Sequence, residues 1–166
     1  MSDPAPKPSP ALSASAQRVQ DELRRLGFAN KVFELPIPVR TAADAAREAG
    51  CEVGQIVKSL IFRAANTGRG VLVLTSGSNR ADEAKLAALL GEPIGRADPA
   101  FVRDHTGFAI GGVPPIGHAG PMVTFIDEDL LKQTELWAAA GHPNSLFRLV
   151  PDELVRMSGG QVARVA

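Results

Sequence analysis

The chain of 166 residues has no tyrosine, one cysteine, 5% aromatic residues and no net charge, with 18 basic side chains against 18 acidic ones. Each shortage excludes something. A lone Cys51 permits neither an internal disulfide nor a cysteine-rich metal cluster. The three histidines, His105, His118 and His142, lack HExxH or comparable ligand spacing, so no metal is expected. Charge neutrality argues against non-specific binding to long nucleic acids, which requires a strong basic field, but leaves room for a basic rim around one pocket. Scarce aromatics offer few platforms on which bases could stack. No apolar run approaches the ~18 residues of a membrane span. The start MSDPAPKPSPALSAS lacks the basic-then-apolar order of a secretory leader, so the cytoplasm is the simplest compartment. No GxSxG elbow, Ser-His-Asp order, GxxxxGK[ST] loop or GxGxxG fingerprint occurs, which removes the common serine-hydrolase and nucleotide-binding readings.

What is present is an ordinary composition, 45% hydrophobic and 22% charged, of a length suited to one well-cored domain. Residues 1–12, rich in Pro, Ser and Ala, read as a disordered tail, and residues 13–166 as one domain. Ser13 or Ser15 can cap a helix in which Ala16, Val19, Leu23 and Leu26 recur at helical spacing, stopped by Gly27. Arg18, Arg24 and Arg25 fall off that stripe and read as a solvated face. A short strand spans 31–35, and Thr41 caps an alanine-rich helix closed by Gly50. QIVKSLIFR, 55–63, and 70–74 read as strands joined in a hairpin by a turn at 66–70. A helix over 81–90 would bury Ala84, Leu86, Leu89 and Leu90. A short strand at 94–96 and a helix from Asp98-Pro99 follow. Strands are then expected at 107–110, 123–127, 135–140 and 146–150, with helical turns at 127–132 and 151–157. This order predicts an α+β domain with a mixed central sheet.

Three features can carry chemistry. Lys58 interrupts an apolar strand, where an ammonium needs partners or a wet cleft. Taken alone, the pattern favours a snorkelling lysine over a fixed cation for a phosphate or polarised carbonyl. The run Gly111-Gly112-Val113-Pro114-Pro115-Ile116-Gly117 combines glycines that permit close backbone approach with prolines that stiffen it. It is either a stiff turn or a loop presenting amides to an oxyanion. Gly141-His142-Pro143-Asn144 places a histidine on a loop, as an acid, a base or a plain turn residue. His118 has a weaker claim, while His105 at a helix end and Cys51 after one read as structural.

IVKSLIF around Lys58, TGFAIGGVPPIG with its GxxxP spacing from Gly111 to Pro115, VTFID and the AGHPNS loop together resemble the YbaK/prolyl-tRNA-synthetase-associated editing family. The resemblance spans about residues 14–158. It implies that family's fold, with a strongly curved central sheet flanked by helices, and a free-standing aminoacyl-tRNA deacylase, which hydrolyses the ester of a mischarged tRNA, often that for proline. By resemblance, Lys58, Gly111 and Gly112 are catalytic, and Val113, Pro114, Pro115, Gly141 and His142 bind substrate. The implied partners are the acceptor end of aminoacyl-tRNA and an associated synthetase; no cofactor, metal or membrane is implied. Alanine-removing relatives carry an FHP-type histidine and cysteine-removing ones a glycine-rich stretch. Ala140-Gly141-His142 matches neither pattern, so the amino acid stays open. The competing expectation is a catalytically silent module of the same fold that binds tRNA or an aminoacyl end.

Overall fold

The computed structural model describes residues 12–37 and 39–166; the tail expected at 1–12 lies, apart from Leu12, outside the described residues. The elements run α1 (Ala14–Arg25), β1 (Val32–Glu34), α2 (Ala42–Ala49), β2 (Ile56–Ala64), β3 (Gly70–Ser76), α3 (Glu83–Leu90), β4 (Ile94–Arg96) and α4 (Pro99–Thr106). They continue with β5 (Met122–Asp127), β6 (Leu136–Ala139), β7 (Ser145–Leu149), α5 (Pro151–Ser158) and β8 (Gln161–Ala163). Short 3-10 turns occupy Val53–Gln55 and Glu128–Lys132. The eight strands form one mixed sheet in the order β1-β7-β6-β2-β3-β5-β8, with β4 also on β2. The α+β architecture with a mixed sheet and flanking helices is therefore present.

Local chemistry explains most boundaries. The Ser13 hydroxyl accepts from Ala16 N–H to start α1, the Thr41 hydroxyl accepts from Asp44 N–H to start α2, and Asp98 accepts from Phe101 N–H ahead of Pro99. The β2–β3 hairpin pairs antiparallel from Val57↔Ser76 to Arg63↔Gly70. Its turn is tied down by Glu92, whose carboxylate accepts from Asn66 N–H and Thr67 N–H, both at 2.9 Å.

The sheet is covered on both faces, and strand alternation divides the core accordingly. Val57 and Ile61 on β2 and Leu72 and Leu74 on β3 join α1, α5 and residues 108–116 in the larger cluster. Leu60, Phe62, Val71 and Val73 point the other way, to Leu86 of α3 and Phe125. Seven consecutive buried residues on β3 follow from this double cover. Each fully buried Leu or Phe contributes about 2 kcal/mol relative to exposure.

Three expectations need correction. Residues 107–110 are not a strand. Gly107, at φ +79°, ends α4 by donating to Arg103 O, and Phe108 N–H donates to the Thr106 hydroxyl. These groups are satisfied locally, and Phe108 is left as a buried anchor. In α3 Leu86 alone is buried, while Leu89 is 39% exposed, because the helix lies over the end of the smaller cluster. Strand β8, which pairs with β5 in parallel, was not anticipated. Arg18 is exposed, as expected, and it donates to Gly107 O at 3.1 Å and lies 4.5 Å over the Phe108 ring. It fastens α1 to the start of the glycine-proline loop.

Candidate functional site

Lys58 sits near the middle of the sheet, and the strand carrying it has a gap in its pairing. On the side away from β3, β2 is paired by β6 at Ile56 and Val57 and by β4 from Phe62 to Ala64. Between them that edge is open. Ile61 C=O points to it, accepting from Ala97 N–H at 3.4 Å, and Ala65 N–H likewise turns outward to Pro93 O. Alternation along an unbroken register sends the Ser59 N–H and C=O to the same side. No strand covers them there. The Ser59 hydroxyl is also buried and unpartnered among the described residues.

Ile110, Gly111 and Val113 face this stretch of β2 and line two lobes beside it. A cavity of 330 Å³ on one side is lined by Lys58, Ser59, Leu60, Gly111 and Val113, with walls from α2, β6 and β7 that include Ala42, Ala45, Ala139, Pro143 and Leu146. A second lobe of 310 Å³ shares Ser59, Leu60, Ile110, Gly111 and Val113 but adds Arg80, Arg96 and Glu83. The first lobe is mainly apolar, although Lys58 and Arg40 also line it; the second is lined by two arginines, Arg80 and Arg96.

The Lys58 ammonium donates to the backbone carbonyl of Asn79 at 2.7 Å. Burial holds its pKa below the ordinary lysine value, the Arg80 charge lowers it further, and the Asp127 carboxylate opposes both. The lysine is thus a partly desolvated cation on a defined acceptor rather than a snorkelling side chain.

The loop opposite is rigid. Gly112 N–H donates to Ala109 O, and Gly112 C=O accepts from Gly141 N–H at 2.8 Å, so the two glycine-containing loops are joined. A Cβ on Gly112 would stand 2.9 Å from His142 N, and one on Gly141 2.5 Å from Ser15 O. Neither position has room for a side chain. Pro114 and Pro115 are buried. His118 Nε2–H donates to Pro114 O at 2.7 Å and so braces the loop, and burial pushes the His118 pKa down against the opposing effect of that hydrogen bond.

The structure therefore brings together Lys58, Gly111 and Val113 of the expected site residues. Gly112, Pro114, Pro115 and Gly141 lie behind them as the frame. The Gly112 amide is already committed, whereas those of Gly111 and Val113 donate to no other group among the described residues. His142 is half-buried beside the crossing, its Nδ1 accepting from Asn144 N–H at 3.2 Å, and its neighbour Pro143 reaches the cavity instead. Burial, then Glu135 and Glu52, push the Cys51 thiol above its ordinary value. His105 stacks on Phe101 at 3.8 Å. Sequence reasoning missed Arg80, Arg96, Ser59 and Asn79, which carry no recognisable motif. Among the described residues no helix is long and apolar enough to cross a membrane.

Comparison with known proteins adds to this geometry. Residues 37–157 match the family model described as the aminoacyl-tRNA editing domain. A Bacillus subtilis (strain 168) protein named "Uncharacterized protein YwhH" is 30% identical over 151 residues, covering 89% of this chain and 94% of that one. From Enterococcus faecalis, the "Putative Cys-tRNA(Pro)/Cys-tRNA(Cys) deacylase EbsC" is 27% identical over 128 residues, 75% of this chain and 76% of its own. A crystal structure described as "a putative trans-editing enzyme for prolyl tRNA synthetase" superimposes with a TM-score of 0.89 at 52% identity, covering 93% of this chain and 98% of its own.

Proposed function

Because the chain belongs to the aminoacyl-tRNA editing domain family, we propose that it is a trans-acting deacylase that hydrolyses the ester of a mischarged tRNA. The observation that carries this reading is the single cavity lined jointly by Lys58, Gly111 and Val113 at the unpaired edge of β2. An aminoacyl ester is already activated, so its hydrolysis needs a positioned water and stabilisation of developing negative charge more than a protein nucleophile. The groove supplies those means. The Gly111 and Val113 amides face the ester carbonyl, and the Lys58 ammonium orients the carbonyl or the neighbouring phosphate. Ser59 N–H and C=O hold the rest of the aminoacyl group in the gap.

In this reading each lobe takes one end of the substrate. The apolar lobe takes the amino-acid side chain, and its walls of Ala42, Ala45, Ala139, Pro143 and Leu146 exclude large residues by volume. The lobe bearing Arg80 and Arg96 takes the terminal nucleotide, whose phosphate suits guanidinium groups. tRNA for proline is the proposed carrier, in line with what the names of the relatives say of those proteins. A role within the cytoplasm, beside a synthetase, follows from that substrate.

The test is single-turnover deacylation of a panel of mischarged tRNAs, with Lys58→Ala beside the wild type. Hydrolysis of at least one small-residue ester is expected, slowed about 10²- to 10³-fold by Lys58→Ala, as for loss of one charge-stabilising donor. Full activity in Lys58→Ala would remove the mechanism. Saturable tRNA binding with no turnover on any ester would instead identify a silent binding module.

A further inference from the structure

Lys58 is held by a carbonyl, and that carbonyl belongs to a loop with no secondary structure of its own. What fixes the loop lies on another strand. Asn79 Nδ2 donates to Asp127 Oδ2 at 2.8 Å and to Asp129 Oδ2 at 2.7 Å. Asp127 is the last residue of β5 and only 1% exposed. The same Oδ2 accepts from Ser76 N–H at 3.0 Å, where β3 ends, and Oδ1 accepts from Asp129 N–H at 2.9 Å. Asn79 N–H donates back to Ser76 O at 2.9 Å. One buried carboxylate thus grips the end of β3 and the side chain three residues later. Asn79 C=O is thereby left facing the Lys58 ammonium at 2.7 Å.

We propose that Asp127 and Asn79 are positioning residues for the editing reaction: the buried carboxylate fixes Asn79, and the Asn79 carbonyl fixes the Lys58 ammonium in the groove. This rests on the deacylase reading above. A buried carboxylate is costly unless every acceptor site is used, and here the hydrogen bonds that satisfy it also define the loop. The next residue, Arg80, lines the nucleotide lobe, so the same grip places the backbone from which that second cation extends. An ammonium on a four-carbon stem has many rotamers, and displacing a charge-stabilising group by about 1 Å can slow a reaction up to ~10²-fold.

Asn79→Ala is the informative variant, because it removes the side-chain grip at a half-buried loop and leaves the backbone carbonyl in place. Asp127→Asn, nearly isosteric, is the companion. Two quantities are read on the full-length protein. One is the single-turnover rate and half-saturating concentration for the ester that the wild type hydrolyses. The other is the 15N signal of the Lys58 ammonium, assigned by its absence in Lys58→Ala. Both variants are expected to lower the saturated rate about tenfold, with less than about twofold change in half-saturation. The Lys58 signal should change from that of a held ammonium to that of a freely rotating surface lysine. Wild-type rates in Asn79→Ala would overturn the proposal, and so would a slowed reaction with an unchanged Lys58 signal. If the wild type hydrolyses no ester, the deacylase reading fails by itself, and the ammonium signal still decides whether Asn79 holds Lys58.

Discussion

Two loops face the Lys58 strand, and they are held by different means. The glycine-proline loop is stiff through its own covalent structure, since prolines limit φ and glycines permit close crossing, and through the hydrogen bond that Gly112 C=O accepts from Gly141 N–H. The loop over residues 77–80 has no proline; beside the backbone bonds of Gly77 N–H to Ile56 O and Asn79 N–H to Ser76 O, it is fixed by a side chain, with Asn79 held on Asp127 and Asp129. The first loop presents amides, which need only a fixed backbone. The second presents a carbonyl to a flexible cation, and its placement depends on a charge 48 residues away in the sequence.

The largest effect is expected at Gly141, where the covalently stiff loop is crossed. An alanine there meets Ser15 O at 2.5 Å and must hold φ near +96°, against backbone that cannot retreat without moving α1. Gly141→Ala is expected to cost about 3 kcal/mol in urea unfolding. Gly111 has a similar φ of +90°, but its added Cβ would meet only Pro143 Cγ at 3.8 Å. Gly111→Ala should therefore cost about 1 kcal/mol, from backbone strain alone. Equal losses at the two positions would mean that crowding at the crossing does not matter.

A smaller effect probes the loop that is fixed by charge. The Lys58 pKa is lowered by burial first and by Arg80 second, with Asp127 acting against them. Its ammonium is therefore lost, as pH rises, sooner than that of an ordinary lysine. Arg80→Gln removes one lowering influence, so the alkaline limb of the deacylation pH profile should move upward. A downward move, or none, would show that Lys58 is not the group titrating on that limb.

The smallest effect is expected at the far end of the β2–β3 hairpin, which serves as a control remote from both loops. Hydrogen bonds from Thr67 and Asn66 N–H, with Arg69 adding to them, bring the Glu92 carboxyl down to about 2 from 4.5. A depressed carboxyl contributes stability that is complete above about 4.5 and is lost as pH falls through about 2. Glu92→Gln should erase that acid dependence in unfolding measurements between these pH values and leave deacylation unchanged.

How legible the site was in the sequence follows the same division. The hairpin, the Thr41 and Asp98 helix starts and the glycine-proline loop all rest on signals within a few residues, and the structure places them as expected. Residues 107–110 read as a strand because Phe108, Ala109 and Ile110 are apolar in a row. Nothing local told that Thr106 would satisfy Phe108 N–H and release the backbone from pairing. Arg80, Asn79 and Ser59 were passed over because each is ordinary in its own neighbourhood. Ser59 matters only because β6 and β4 both stop short of it, and the lengths of neighbouring strands cannot be read at position 59.

Sequence alone was enough for the class of the domain, the order of most elements, the family resemblance and the pairing of a strand lysine with a stiff glycine-proline loop. The class and the element order rest on periodicity, caps and turn chemistry, which act over a few residues, whereas the pairing rests on the family resemblance carried by the motifs in their order along the chain. Packing settled which amides remain free, that Gly112 and Gly141 act as a joint, and that the groove has an apolar lobe and an arginine lobe. It also brought a buried aspartate on β5 to the asparagine whose carbonyl meets the Lys58 ammonium. These features depend on distances between segments tens of residues apart, and only the folded sheet brings those segments within hydrogen-bonding reach.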